Sequence, residues 1–505
     1  MRTQSIYDVI CESMNSEGKL SQNFTLPCEE ASPNELRFMP GAKDGIGVFH
    51  FGLKHPEKVA KKIMRFMKSD WEKGCTDSQS KIAELLHKHR ALSVVDHVLD
   101  SIREDLRGDD VKKMVDYACQ LAFQNADEEM VKLGIALLGV TDLSTEQEII
   151  DKLLLLALYE EFTLYVDVAV SNYQNGNDLL FEIAKKVDGW GKIHTIERIE
   201  PTSDEIREWI LRKGCDNSVM DAYLGLECAN KGDLINALRR DSVDNELFES
   251  ISIIIDALLD ERPAEGISAY EHDEEALQRY LLFAEEHAVT LKHLWFILNL
   301  QDWLEDAEIA NRDKLQKMCD NIICRESWND LIRNTLENPD EDQLFYISNA
   351  ASRLNLDVSE LIFKAISKDP VKYCGYLSIA YQNPEYAKQL TEIYEEILPL
   401  DDMATGMGDF LFAENLSQEH FCLDFVLQEL KQYPKMGERL IKAALQSPVV
   451  RERNGACKVV EEWSKQLDQN LNAISPNLFK VLKDTARIEV DSDMKKNMKK
   501  LLKIK

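Results

Sequence analysis

Short amphipathic segments, each closed by glycine or polar residues, limit what this chain can fold into more than any other feature. Between Asn177 and Arg240 four follow one another, at residues 178–187, 191–199, 204–213 and 218–229. Helices this short do not hold together alone in water, so each must bury its apolar stripe on neighbours. A chain built this way stacks its helices, and its core lengthens along the stack rather than growing inward. The helical rhythm begins at Pro56, which suits the first turn of a helix over residues 57–68 whose Val59, Ile63, Phe66 and Met67 share one face. It continues through residues 80–89, 92–106 and 111–124, then 246–259, and on through successive segments to 384–397.

Residues 1–55 are different. A short helix at 5–14 gives way to Pro27, Pro33 and Pro40 and to Gly41, Gly45, Gly47 and Gly52. The intervening Arg37-Phe38-Met39 and Val48-Phe49-His50-Phe51 are too short and aromatic for helices, so they read as loops with one small hairpin. Residues 42–47 lack the Gly-Lys-Ser/Thr ending of a phosphate loop, and a lid or cap over the end of the stack is the expected role. An acidic connector at 260–275, with Pro263 and Gly266, divides the remainder into repeats at 56–260 and 261–505. The second set ends in a lysine-rich cap (Lys495, Lys496, Lys499, Lys500, Lys503, Lys505).

Three segments share a design. Residues 127–139 (DEEMVKLGIALLG), 447–460 (SPVVRERNGACKVV) and 491–502 (DSDMKKNMKKLL) each begin with an acid or a proline. The first two place a basic residue after valine and small residues near the point where a second helix would cross. These segments resemble the second helix of the HEAT repeats, the armadillo-like helix-pair units of roughly 40 residues. The resemblance implies an all-α chain folded as a right-handed α-solenoid of stacked antiparallel helix pairs. Such folds commonly bind other macromolecules, and the pattern names no activity.

Composition narrows the partner. Ninety acidic residues against 60 basic ones give a net charge of −30, which repels phosphate backbones and anionic membranes and favours a partner protein with a basic surface. Eleven cysteines without a regular framework fit a reduced, cytoplasmic setting. The longest aliphatic run, residues 153–158, is far short of the ~20 residues that cross a bilayer. No metal is expected, because His87 and His89 splay by about 200° on a helix and Cys319 and Cys324 lack completing ligands. No cofactor or catalytic residue is expected either.

The least generic stretch is Gly189-Trp190-Gly191-Lys192-Ile193-His194-Thr195-Ile196-Glu197-Arg198. Two glycines around a tryptophan suit a crowded backbone, and His194 and Arg198 share one helical face. As a binding patch it would offer Trp190, Lys192, His194 and Arg198, joined by Tyr270, Glu274 and Glu275 from the acidic connector. As packing, Trp190 would plug a groove between repeats. The expected function is a non-catalytic solenoid that clasps a basic protein, an immunity or inhibitor protein being one form of it. The alternative is a nucleic-acid enzyme like the HEAT-like alkylpurine DNA glycosylases. Trp209, Trp295, Trp303 and Asp302 supply the residue types for that chemistry, while the net charge opposes it.

Overall fold

A computed structural model describes residues 4–15, 18–21, 24–26, 38–51, 56–105, 110–262, 264–336, 340–408, 410 and 417–503. Over these residues the chain is all-α, with thirty α-helices and no strand. Extended backbone pairs among them only in an isolated bridge between Phe410 and Val449. The helices form two compact units. One gathers the described residues up to 288 together with 299–322, and the other gathers 289–298 with the residues from 323 onward.

The first unit runs through α1 (Ile6–Glu12), α2 (Ala42–Ile46), α3 (Glu57–Lys73), α4 (Gln79–His89), α5 (Ala91–Asp105), α6 (Asp110–Gln124), α7 (Glu128–Leu138) and α8 (Gln147–Leu156). It continues with α9 (Glu160–Val170), α10 (Gly176–Ala184), α11 (Gly189–Arg198), α12 (Asp204–Trp209), α13 (Gly225–Lys231), α14 (Leu234–Leu238), α15 (Asn245–Leu259) and α16 (Asp273–His287). Alternate helices pack in succession: α3 on α5, α5 on α7, α7 on α9, α9 on α11, α11 on α13 and α13 on α15. The intervening helices brace them, with α6 on α7, α8 on α9 and α10 on both α9 and α11.

α7 shows how sequence produces this packing. Asp127 caps it, accepting the Met130 N–H at 3.0 Å and placing an acid at the positive end of the helix dipole. Every residue from Met130 to Leu138 is buried, so α7 lies wholly inside the unit. Gly134 makes that possible, because a Cβ there would stand 2.5 Å from the Ala122 backbone nitrogen of α6. The related segment in the second unit, within helix Val450–Leu467, has no such crossing: a Cβ on Gly455 would meet Leu427 Cδ1 at an ordinary 3.4 Å.

That second-unit helix carries a buried ion pair. Arg453 and Glu489 have no exposed side-chain surface. The guanidinium binds the carboxylate at 2.7 and 2.9 Å and donates also to the Ser447 and Gly408 carbonyls. Trp463 on the same helix donates its indole N–H to the Leu430 carbonyl at 2.8 Å.

One sequence expectation differs from the structure. Residues 42–51, read as loop or hairpin, form α2 followed by a π-helical turn at Gly47–Phe51. Tertiary contacts of Asp44 and Phe49, described below, override the weak helix propensity of that glycine-rich stretch. The readings placed on residues 27–37 and 52–55 fall outside the described residues. The two units divide close to residues 288–323. The connector is pinned to α15: Ile267 and Tyr270 are buried, Glu261 accepts the Ser268 N–H at 2.7 Å, and Gly266 abuts the Leu258 carbonyl.

Candidate functional site

The site is built on α9, whose two faces do different work. Glu161 and Tyr165 lie one turn apart and look toward α7, while Glu160, Thr163 and Asp167 repeat at three and four residues and look toward α11.

On the α7 side sits Lys132, with no exposed side-chain surface. Its ammonium donates to Asp44 Oδ2 at 2.9 Å, to Glu129 Oε1 at 3.2 Å and to Glu161 Oε1. Burial pulls its pKa down, but Glu161, Asp44 and Glu129 together outweigh burial and hold it above the ordinary lysine value. Arg90, between α4 and α5, completes the cluster with Nη2 2.6 Å from Asp44 Oδ1 and Nε 3.9 Å from Glu129. Its backbone has φ +64°, a conformation that non-glycine residues keep only when their surroundings enforce it. Tyr165 donates its hydroxyl to Asp44 Oδ2 at 3.0 Å, and Gly41 N–H donates to Glu161 Oε2 at 2.7 Å. Asp44 therefore ties residues 41–51 into the helical unit.

On the α11 side an aromatic group continues the contact. Gly45 lies flat on Trp190, where a Cβ would stand 2.1 Å from a ring carbon. The Phe49 ring centroid is 4.7 Å from Tyr223, 5.9 Å from Trp190 and 6.3 Å from His194. His50 Nε2 and the Tyr223 hydroxyl are 2.6 Å apart. His194 is buried with neither ring nitrogen hydrogen-bonded; Glu197 Oε2 lies 3.7 Å from Nδ1.

Beneath these rings lie two carboxyls that titrate near neutrality. Burial pushes Glu160 up to about 7, with Asp188 and Glu161 adding to it, against the N–H donors of Trp190 and Gly191. The Trp190 bond is 2.8 Å. Burial likewise pushes Asp167 up to about 7, opposed by Thr195 and Arg198. The Thr195 hydroxyl is 2.8 Å from both Asp167 Oδ2 and the Gly191 carbonyl, and it has one proton to give. A neutral Asp167 can donate to Thr195 while Thr195 donates to Gly191, which suits the raised carboxyl. Beside Glu160 opens a cavity of about 470 Å³, lined in part by Phe24, Met39, Tyr159, Lys185 and Asp188.

The residues singled out in the sequence fall into two groups. Trp190 and His194 are together and buried, with ring centroids 6.0 Å apart. Arg198 donates to the His194 carbonyl at 2.8 Å and Lys192 to the Asp216 carbonyl at 2.5 Å. The glycines flanking Trp190 have packing roles: Gly189 has φ +55° and leaves no room for a Cβ beside Glu160, and Gly191 faces Thr163. Tyr270, Glu274 and Glu275 form a separate group. Tyr270 is buried, Glu274 accepts from Ala310 N–H and the Asn311 amide, and Glu275 grips Arg239 at 2.6 and 2.8 Å. Of the tryptophans considered for nucleic-acid chemistry, Trp209 packs edge-on against Phe181 and Trp295 against Phe345.

Asp44, Arg90, Glu129, Lys132, Glu160, Glu161 and Asp167 are not among the residues singled out in the sequence. One signal was present. Lys132 and Asp167 each interrupt a largely apolar run, at 130–138 and 162–170, where an ionisable group must be buried and partnered.

Among the described residues no cluster of His, Cys, Asp or Glu could hold a metal ion, and no helix is long and apolar enough to cross a membrane. The ten described cysteines are free thiols. No protein-family model matches the chain, and a search of curated proteins finds no match.

Proposed function

We propose that this chain is a non-catalytic helical-repeat protein, a HEAT-like right-handed solenoid of antiparallel helix pairs, that clasps a partner protein through a basic surface of that partner. The observation that carries this reading is where the charge lies. Among the described acids only Asp44, Asp70, Asp167, Glu452 and Glu489 are fully buried, so most of the described acids that contribute to the net charge of −30 reach the surface. The most deeply buried charges are committed to structural contacts, as Lys132 is among three carboxylates and Arg453 against Glu489. An acidic exterior attracts cationic surfaces and speeds their encounter. The succession of packed alternate helices supports the repeat reading, and the free thiols support an intracellular setting.

The test is capture of partners from native lysate on the immobilised chain, with elution by salt. Basic proteins should be enriched and should leave as salt rises from about 50 to about 500 mM. Retention undiminished over that range would remove the electrostatic part of the reading. Tight retention of duplex DNA on a filter at low salt would instead favour a nucleic-acid role.

A further inference from the structure

Residues 41–51 occupy a surface that is complete without them. α7 packs directly on α9 and α9 on α11, and Lys132 and Arg90 have Glu129 and Glu161 as partners among those helices and their connections. Two cations facing two carboxylates are balanced; Asp44 is a third carboxylate brought in from outside. The segment itself is held with little apolar surface. Gly41, Ala42, Asp44 and Gly45 are its buried residues, while Val48 and Phe51 are exposed, Phe51 to 81%. Side chains this small bring little hydrophobic stabilisation, so one carboxylate, one backbone donor, one half-buried phenylalanine and the His50–Tyr223 hydrogen bond carry the attachment.

The surface beneath is specific in its chemistry. At one end Lys132, Arg90 and the Tyr165 hydroxyl converge on a carboxylate. In the middle the Trp190 ring admits only a residue without a side chain. At the other end Trp190, Tyr223 and His194 surround an aromatic ring, and His194 keeps both nitrogens unbonded while buried.

From this we infer that the α7–α9–α11 surface is a peptide-binding site, occupied in this structure by the chain's own residues 41–51. Its partner is a segment of another protein carrying an aspartate, a glycine next to it, and an aromatic residue four positions further on. That segment enters by displacing residues 41–51, which serve as its intramolecular competitor. The site is distinct from the acidic exterior and does not rest on what that exterior binds.

The probe is a synthetic, fluorescently labelled peptide of residues 39–51, measured by anisotropy against the full-length chain. The wild-type chain, with its site filled, should bind it poorly. Gly45→Val, whose Cβ cannot stand over Trp190, expels the resident segment and leaves the surface untouched; it should bind the peptide at least about tenfold more tightly. A peptide with Asn in place of Asp44 should lose that gain. Chymotryptic cleavage after Phe49 and Phe51 should accelerate in the variant while its circular dichroism stays that of the wild type. Asp44→Asn serves as a second release variant acting through charge rather than shape. The inference is overturned if folded Gly45→Val and Asp44→Asn chains bind no more peptide than wild type. It is equally overturned if both lose helicity, since the segment is then part of the core.

Discussion

Lys132 is a cation with no water contact, and the free energy of such a residue lies almost wholly in its partners. Removing it leaves Asp44, Glu129 and Glu161 facing one another with Arg90 alone to offset them. Lys132→Ala should therefore cost about 3–5 kcal/mol of unfolding free energy, the range for breaking a buried pair from one side. Urea denaturation checks this, and a loss below about 1 kcal/mol would show the cluster to be solvated. Glu160 and Asp167 make a pH prediction of the opposite kind. Both carboxyls bind protons more tightly in the folded chain, at about 7, than the unfolded chain does near 4. Their stabilising effect is complete below the unfolded value and is lost as pH rises through about 7. For Glu160 the full effect is about 3 kcal/mol. Glu160→Gln keeps an acceptor for the Trp190 N–H and should flatten the fall in melting temperature between pH 5 and pH 8. An unchanged slope would place the titration elsewhere.

At the scale of elements, the crossing of α6 and α7 is set by one missing side chain. Helix propensity alone would make Gly134→Ala stabilising by about 1 kcal/mol. The contact decides otherwise, since the added methyl meets backbone rather than a movable side chain. We expect a net loss of about 1–3 kcal/mol, read by thermal melting, with Gly455→Ala as the control in which propensity wins. A gain in stability for Gly134→Ala would mean that the helices slide apart freely. Much of this was legible in the residues: the helical rhythm, the small residue in α7, and the packing glycines around Trp190. Residues 42–51 were not, because their local sequence favours turns and their helix exists through contacts with residues far along the chain, from Arg90 to Tyr223. Nor could one sequence tell that Glu160, an ordinary acid at a helix start, receives the Trp190 N–H. The packing of the acidic connector was not legible either: its proline, glycine and acids carry no sign that Ile267 and Tyr270 are buried.

For the whole molecule, charge works in two directions. Thirty excess negative charges repel one another in any compact state. Raising salt from about 0.01 to about 0.15 M shortens the screening length from about 30 to about 8 Å. The melting temperature should rise by roughly 2 °C for each ~1 kcal/mol of repulsion removed. The same salt should weaken capture of basic proteins. A chain whose stability and partner capture moved in the same direction with salt would not be governed by its net charge.

The link between Asp44 and its partners also has an order in time. Lys132 follows Asp44 by 88 residues and Tyr165 by 121. At ribosomal rates of about 5–20 residues per second, the carboxylate emerges some 5–20 s before those groups exist to receive it. Each newly made molecule therefore passes through an interval in which residues 41–51 have been made and their partners on α7 and α9 have not. During that interval the Asp44 carboxylate is open to the cations of other proteins.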